Sequence, residues 1–508
     1  MADSGRVHRL RPRLGISHAA APGMTESAHA GPPNQTPGGD LAVADRIERI
    51  QRELADLGID TLLVQFTDLL GVAKGKLLPL HQLAGVLAGG AGFAGPSIAG
   101  TGLGRHGLRS EYYARGDLDA LTTLPWLPGV ARIVGSGWVD GEPFEACPRQ
   151  ILARQVARLA ERGLQLQIGI EPEFFLLKRE ASTTGSGPAH WRPFDDADRL
   201  AKPSYDLKSL PRQLGFLQAL RGALEAAGLT VLQIDHEDAW GQYEVNFEHD
   251  EVQASCDHLM LFKLAAQQLA EQRGAVFSMM AKPFADQPGS GLHFHVSLWE
   301  QDGRGRATRC VFDPQATERG GSVITPGQHL SSAGQAFVAG VLAHSAALCA
   351  LAAPTVNSYK RLVVGESLSG TSWAPAYVAQ GPNNRTCTIR TLPGRFEWRL
   401  PDAGANPYLA AAGLIAAGLD GLDRAMCPPP ACTDDLFAMT LAQIRARGIP
   451  LLPQSLAEAC DALEQDSVIS AALGVLAQQQ FLALKRDEAL AYARHVSQWE
   501  LERYAGWS

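Results

Sequence analysis

The chain has 508 residues, and 45 Lys plus Arg against 53 Asp plus Glu leave a formal net charge of −8. Apolar residues make up 45% and charged ones 19%, an ordinary composition with material for a large core and for roughly two to four domains. The mild acidity argues against a nucleic-acid partner, no apolar run approaches the ~20 residues of a membrane span, and eight scattered cysteines without a C-x-x-C pair exclude a disulfide framework or zinc site and predict a reducing, cytoplasmic setting.

Residues 1–40 are rich in Pro, Gly, Ala, Ser and His and carry Arg6, Arg9, Arg11 and Arg13 with no apolar period, which predicts a disordered tail. They hold no apolar signal core; a transit peptide and a start at Met24 both stay open. From residue 41, "LAVADRIERIQRELADLGID" has helical spacing that stops at Gly58. "TLLVQFTD" reads as a strand, then a turn at Gly71 and a second extended run, "KGKLLP". The glycine-rich stretch 88–107 is expected to be loop, and it fits neither phosphate-binding glycine pattern. These elements form a small α+β unit over 41–147.

A second unit is expected over 148–508. "PRQILARQVARLAERG" predicts a helix with Pro148 at its start and Gly163 at its end. Strands and helices then alternate, one helix over 208–227, and 453–505 reads as mostly amphipathic helix.

Four strands carry the informative pattern, because residues two apart in a strand share a side. In "IEPEFF", Glu171, Glu173 and Phe175 share one; in "GQYEVNFE", Gln242, Glu244, Asn246 and Glu248 do. In "GLHFHVSL", His293, His295 and Ser297 oppose Leu292, Phe294, Val296 and Leu298; in "RFEWRL", Arg395, Glu397 and Arg399 oppose Phe396, Trp398 and Leu400. Each strand taken alone also fits a sheet with one solvated face. Repeated Glu and His, rather than Thr and Lys, favour a polar face turned in on a cavity. Carboxylates at that density repel unless cations hold them, and a mostly carboxylate set with imidazole suits Mg²⁺ or Mn²⁺. Nearby arginines suggest an anionic substrate, and the combination points to phosphoryl transfer from a nucleotide.

At these residues the sequence resembles the glutamine synthetase family. The most specific stretch is "KPFADQPGSGLHFHVS" (282–297). "FTDLLGVAKGKLLP" (66–79), "GIEPEFF" (169–175), "HEDAWGQYE" (236–244), "PTVNSYKRL" (354–362), "NRTCTIR" (384–390) and "RFEWRLPDAGANPYL" (395–409) follow the family's order. The resemblance implies an α+β fold: a small N-terminal β-grasp domain, then a catalytic domain with a curved antiparallel sheet and flanking helices. It implies a homo-oligomer, a dodecamer of two rings, with sites between subunits. It implies ATP-dependent joining of glutamate to an amine through γ-glutamyl phosphate, with two or three Mg²⁺ or Mn²⁺ ions per site.

Carried over by motif, Glu173, Glu237 and Glu244 would hold one ion, and Glu171, His293 and Glu397 a second. His295, Ser297 and Arg395 would lie along ATP, with Arg385 and Arg390 on its phosphates and the transferred group. Arg361, Arg399 and Gly289 would bind glutamate, and Asp68 of the adjacent subunit would sit at the amine pocket. Taken singly, Arg385 and Arg390 also read as surface residues, Glu237 as part of an acidic turn, Asp68 as a turn former, and Asn357 and Tyr359 as structural.

The chain departs from ammonia-using members after "NSYKRL". Their flap glutamate takes a proton from ammonium; here, in "VVGESLSGTSWAP" (363–375), Trp373 occupies that position and Glu366 precedes it. An indole cannot be a base, but it can wall a pocket for a larger amine. The expected acceptor is therefore an organic amine, with Trp373 in its pocket and Glu366 as an alternative base. The rival readings are an ammonia-using glutamine synthetase and a non-catalytic relative. Pro288 replaces the usual Asn near glutamate, and no adenylylation tyrosine segment is found near 430–450.

Overall fold

The computed structural model describes residues 37–180, 190–317, 329–365 and 373–507. A helix, Pro37–Asp56, leads into the first sheet and begins four residues before the expected start of order at residue 41. Strands β1 (Thr61–Thr67), β2 (Ala73–Pro79), β3 (Ala91–Ala94), β4 (Glu111–Thr123), β5 (Val130–Val139) and β6 (Glu142–Pro143) make a six-stranded sheet in the order β2-β1-β5-β4-β3, with β6 on β5. β1 runs parallel to β5 and antiparallel to β2. Alternation buries Leu62, Val64 and Phe66 of β1, and Phe66 packs against Tyr112 with ring centroids 4.8 Å apart. The β1–β2 turn forms because Asp68 Oδ1 accepts the N–H groups of Leu70 and Val72 at 3.0 and 2.9 Å, while Gly71 takes φ 82°. The glycine-rich stretch is not all loop: residues 91–94 within it are β3, paired with β4.

The second sheet holds β7 (Leu164–Glu180), β8 (His190–Pro193), β9 (Val231–His236), β10 (Gln242–Phe247), β11 (Asp250–Glu251), β12 (Val276–Ser278), β13 (Leu292–Gln301), β14 (Ala307–Cys310), β15 (Gln380–Pro382), β16 (Ile389–Leu392) and β17 (Arg395–Trp398). Its main order is β15-β16-β17-β13-β7-β10-β9. The expected antiparallel sheet needs one correction: β15 and β16 pair parallel. The apolar side carries Ile168, Ile170 and Phe174 of β7, Leu292, Phe294, Val296 and Leu298 of β13, and Phe396 and Trp398 of β17, all buried in one core with helices Val252–Glu271 and Pro407–Asp423. That choice of apolar face forces Glu171, Glu173, His293, His295 and Glu397 onto the other.

The expected helix at 148 is Pro148–Ala160, the one over 208–227 is a short 3₁₀ turn leading into Leu214–Ala226, and four helices follow residue 455. Among the described residues no single helix is long and apolar enough to cross a membrane. Asn406, which caps Pro407–Asp423, also donates to the Asp68 carbonyl at 3.1 Å and so ties the β1–β2 turn to that helix.

Candidate active site

Strand register assembles the site. Glu244 of β10 lies opposite Glu173 of β7 and, on its other side, opposite Asp235 of β9. His293 of β13 lies opposite Glu171 of β7, and His295 opposite Glu397 of β17, which itself faces Arg390 of β16. Residues drawn from across the sequence thus form a continuous polar band, because a period of two and antiparallel pairing leave no other arrangement. Over this band opens a cavity of about 560 Å³.

Two triads stand out. Glu171, His293 and Glu397 each present one donor atom, and the three atoms lie within 4.8 Å of one another; Glu173, Glu237 and Glu244 do the same. His293 Nδ1 is 3.5 Å from Glu397 Oε1, 3.7 Å from Glu171 Oε2 and 3.9 Å from Glu173 Oε1, so the triads adjoin. These are the two groupings expected from the motifs.

Their electrostatics differ. Burial works against ionisation of Glu171, but the imidazoles of His293 and His295 outweigh it and hold the carboxyl well below its ordinary range. Glu397 is likewise lowered despite burial, chiefly by Arg399 and His293. Burial pushes Glu237 and Glu244 well above the ordinary range, and Glu173 adds to both shifts. The second triad is therefore an acidic cluster short of positive charge, and its all-oxygen donor set suits a hard divalent cation. The first triad adds one imidazole to two carboxylates, and none of the eight cysteines lines the cavity.

The arginines divide between the structural and the free-facing. Arg399 donates Nη1 to Glu397 and Nη2 to the Trp373 carbonyl at 3.1 Å. Arg390 donates Nη1 to Glu397 Oε2 at 2.8 Å and braces on Asn383. Arg361, buried beside Gly289, donates to the carbonyls of Leu400 and Arg399 at 3.1 and 3.4 Å. Arg385 lines the cavity from an exposed position. His295 Nε2 is 2.9 Å from Glu171 Oε1, and Arg395 Nε lies 3.3 Å from His295 Nδ1, so both sit at the end of the polar band. Ser297 accepts from Trp299 Nε1 at 2.9 Å further along β13, outside the cavity lining.

Asp68 does not line this cavity in its own chain; burial raises its pKa, and Lys74 Nζ lies 3.6 Å from its Oδ2. Glu366 lies outside the described residues. Trp373 and Pro288 line the cavity, and the Trp373 indole donates to Asp238 Oδ2 at 2.7 Å. Asn357 is structural, exchanging bonds with the Lys282 backbone at 2.7 and 2.9 Å. Tyr359 is half-buried against the core, and burial of its hydroxyl pushes the phenol pKa up.

Several contributors escape motif reading. Gln242 donates to Glu173 Oε2 at 3.1 Å; the alternation of β10 already placed it on the acidic side. Gly291 N–H also donates to Glu173 Oε2, at 2.8 Å, and a Cβ there would lie 2.5 Å from His293 Nε2. Asp198 and His236, both fully buried and 2.8 Å apart, clamp the turn bearing Glu237: the imidazole's other nitrogen is 2.8 Å from the Glu237 carbonyl oxygen, and Gly241 N–H donates to Asp198 at 2.6 Å. Nothing local in the sequence marks Asp198, because its partners His236 and Gly241 lie some forty residues away and Ser209 eleven.

The glutamine synthetase catalytic-domain profile matches residues 145–504. A glutamate–methylamine ligase of Methyloversatilis universalis is 42% identical over 454 residues, 89% of this chain and 98% of that one. A glutamine synthetase of Rhizobium leguminosarum bv. phaseoli is 35% identical over 446 residues, 88% of this chain and 96% of that one. A solved structure described as the GmaS/ADP complex aligns with a TM-score of 0.79 at 33% identity, over 90% of this chain and 99% of that one. Matches of this length and identity mean that the chain belongs to the glutamine synthetase family, ATP-dependent ligases that form carbon–nitrogen bonds.

Proposed function

We propose that this enzyme uses ATP to activate the γ-carboxylate of glutamate and passes the acyl group to an organic amine, a small primary alkylamine such as methylamine. The observation that carries the reading is that Trp373, at the flap-glutamate position of ammonia-using members, lines the same cavity as both acidic triads. The likeness to a glutamate–methylamine ligase at 42% identity, against 35% for a glutamine synthetase, supports it.

Glu173, Glu237 and Glu244 would hold one Mg²⁺ or Mn²⁺ and Glu171, His293 and Glu397 a second, of two or three per site. When bound, such ions neutralise the polyphosphate and polarise the transferred phosphoryl group. His295, Ser297 and Arg395 would follow the nucleotide. Arg385 and Arg390 would meet the phosphates and the transferred group, spreading its charge in the transition state. Arg361, Arg399 and Gly289 would orient glutamate so that its γ-carboxylate meets the phosphorus. The γ-glutamyl phosphate then has to be kept from water until the amine attacks.

An alkylammonium has a pKa of roughly 10 and must lose a proton before it attacks. Glu366 is the proposed base, with Asp68 of a neighbouring subunit on the amine side. Its position outside its own chain's cavity supports sites completed between subunits, as in a two-ring dodecamer. We further divide the chain into a tail over 1–40, a β-grasp unit over 41–147 and a catalytic unit over 148–508, and place the enzyme in the cytoplasm.

The test is ADP release with ATP, Mg²⁺ and glutamate across ammonia, methylamine, ethylamine, ethanolamine, putrescine and aniline at equal concentration. An organic amine is expected to give the highest kcat/KM. Ammonia outperforming every one of them refutes the reading.

A further inference from the structure

We propose that Asp238 is the specificity-determining carboxylate that receives the ammonium end of a primary alkylamine, with the Trp373 indole covering the alkyl group. The inference rests on the glutamate–amine reading above and adds the side chain that selects the amine.

Trp373 is fixed at two points. Its indole donates to Asp238 Oδ2 at 2.7 Å, across 135 positions of sequence, and its carbonyl accepts Arg399 Nη2 at 3.1 Å. One residue thus links the proposed glutamate clamp to the acidic turn along the cavity lining. Asp238 is held from the other side by Ser204, whose hydroxyl donates to Oδ1. Both carboxylate oxygens therefore have a neutral donor, while among the described residues no Lys, Arg or His lies within ion-pair distance of Asp238. A carboxylate offers about four lone-pair sites, so capacity for a cationic third partner remains.

The surroundings match the rest of an alkylamine. Trp373 is 48% exposed, and Tyr205 lines the same cavity beside Ser204, with φ 59° and 70% exposure. Aromatic surface next to a carboxylate gives an alkylammonium a counter-charge for its nitrogen and apolar contact for its carbon. Ammonium makes only the first contact, so the pair favours an organic amine. Glu173, Glu237 and Glu244 converge on one another instead, which leaves Asp235 and Asp238 as the cavity acids outside both triads; Asp235 lies opposite Glu244 and accepts from Gln233 Nε2 at 3.0 Å, whereas Asp238 is the one bonded to the indole.

The experiment measures steady-state ADP release by the full chain with Mg²⁺, ATP and glutamate, varying methylamine, ethylamine or ammonia, for wild type, Asp238→Asn and Trp373→Phe. Asp238→Asn keeps the shape and an oxygen for the indole but removes the charge. It is expected to raise the methylamine KM about tenfold or more, with the KM for glutamate, ATP and Mg²⁺ within about twofold of wild type. Trp373→Phe keeps an aromatic ring without the donor and is expected to raise the methylamine KM less and to narrow the preference for methylamine over ammonia. An unchanged methylamine KM in Asp238→Asn, or a rise shared by every substrate, overturns the assignment while alkylamine use by wild type leaves the parent reading standing. A wild type that prefers ammonia overturns both. Should Asp238→Asn fail to fold, an unaltered amine preference in Trp373→Phe overturns the assignment by itself.

Discussion

At the scale of single residues, the site depends on close approach as much as on charge. Gly291 sits where a Cβ would come within 2.5 Å of His293 Nε2, 2.9 Å of Glu173 Oε1 and 3.0 Å of Arg361 Nη2, so one methyl group presses on members of both triads and on the proposed glutamate clamp. Gly291→Ala is expected to leave the fold in place but to raise the Mg²⁺ concentration for half-maximal activity about 10–100-fold, the usual penalty for disturbing the shell around metal ligands. A wild-type Mg²⁺ dependence in that variant contradicts the account of how the triads are packed. The contrast between the triads belongs at this scale too. Glu171 and Glu397 are held ionised by imidazoles and Arg399, whereas burial and mutual repulsion drive Glu237 and Glu244 toward protonation.

At the scale of elements, helices behind the sheet meet at His344, whose Nδ1 lies 2.6 Å from Asp466 Oδ2 and whose Nε2 lies 3.1 Å from Asp420 Oδ2. Burial opposes protonation of His344, but the two carboxylates outweigh it and raise the pKa above the ordinary 6.5. Burial works the other way on Asp466, and the imidazole outweighs it to lower that group. A raised imidazole stabilises fully below its unfolded pKa and loses that contribution as pH rises through its folded value. The lowered carboxylate contributes above its unfolded value and loses its share on acidification. His344→Gln is therefore expected to cost about 1 kcal/mol near pH 5–6, a figure already reduced for solvent screening, and clearly less at pH 9, as read from urea midpoints. A cost that grows with pH contradicts the ionised network. Elements also show what the sequence made legible. The alternation in β7, β10, β13 and β17 revealed the polar band because burial of one face fixes the other. Short β3 hid among glycines whose weak strand preference reads as loop. The parallel β15–β16 pairing and the Trp373–Asp238 bond join residues whose local sequence says nothing of their partner.

At the scale of the molecule, the first sheet is joined to the catalytic helices through buried charge. Arg149 binds Asp257 through Nε and Nη2 at 3.1 and 2.9 Å and Asp117 of β4 at 2.7 Å, and the Tyr408 hydroxyl donates to Asp257 at 2.7 Å. Arg132 of β5 links Gln65 of β1 to the Asp257 carbonyl. Removing one member leaves a buried guanidinium short of its partner, so Asp257→Ala is expected to lower stability by about 3 kcal/mol in urea unfolding. A loss below about 0.5 kcal/mol, the level of an exposed pair, means that the junction does not depend on this cluster. With the halves so joined, the molecule presents one cavity that brings two acidic triads, several arginines and an indole together, and the central claim is that this cavity joins glutamate to an organic amine. The most direct measurement gives the full-length enzyme ATP, Mg²⁺, glutamate and an equimolar mixture of ammonia and methylamine, and identifies the amide by mass spectrometry. γ-Glutamylmethylamide is expected as the dominant product with one ADP per amide; glutamine as the dominant product contradicts the assignment.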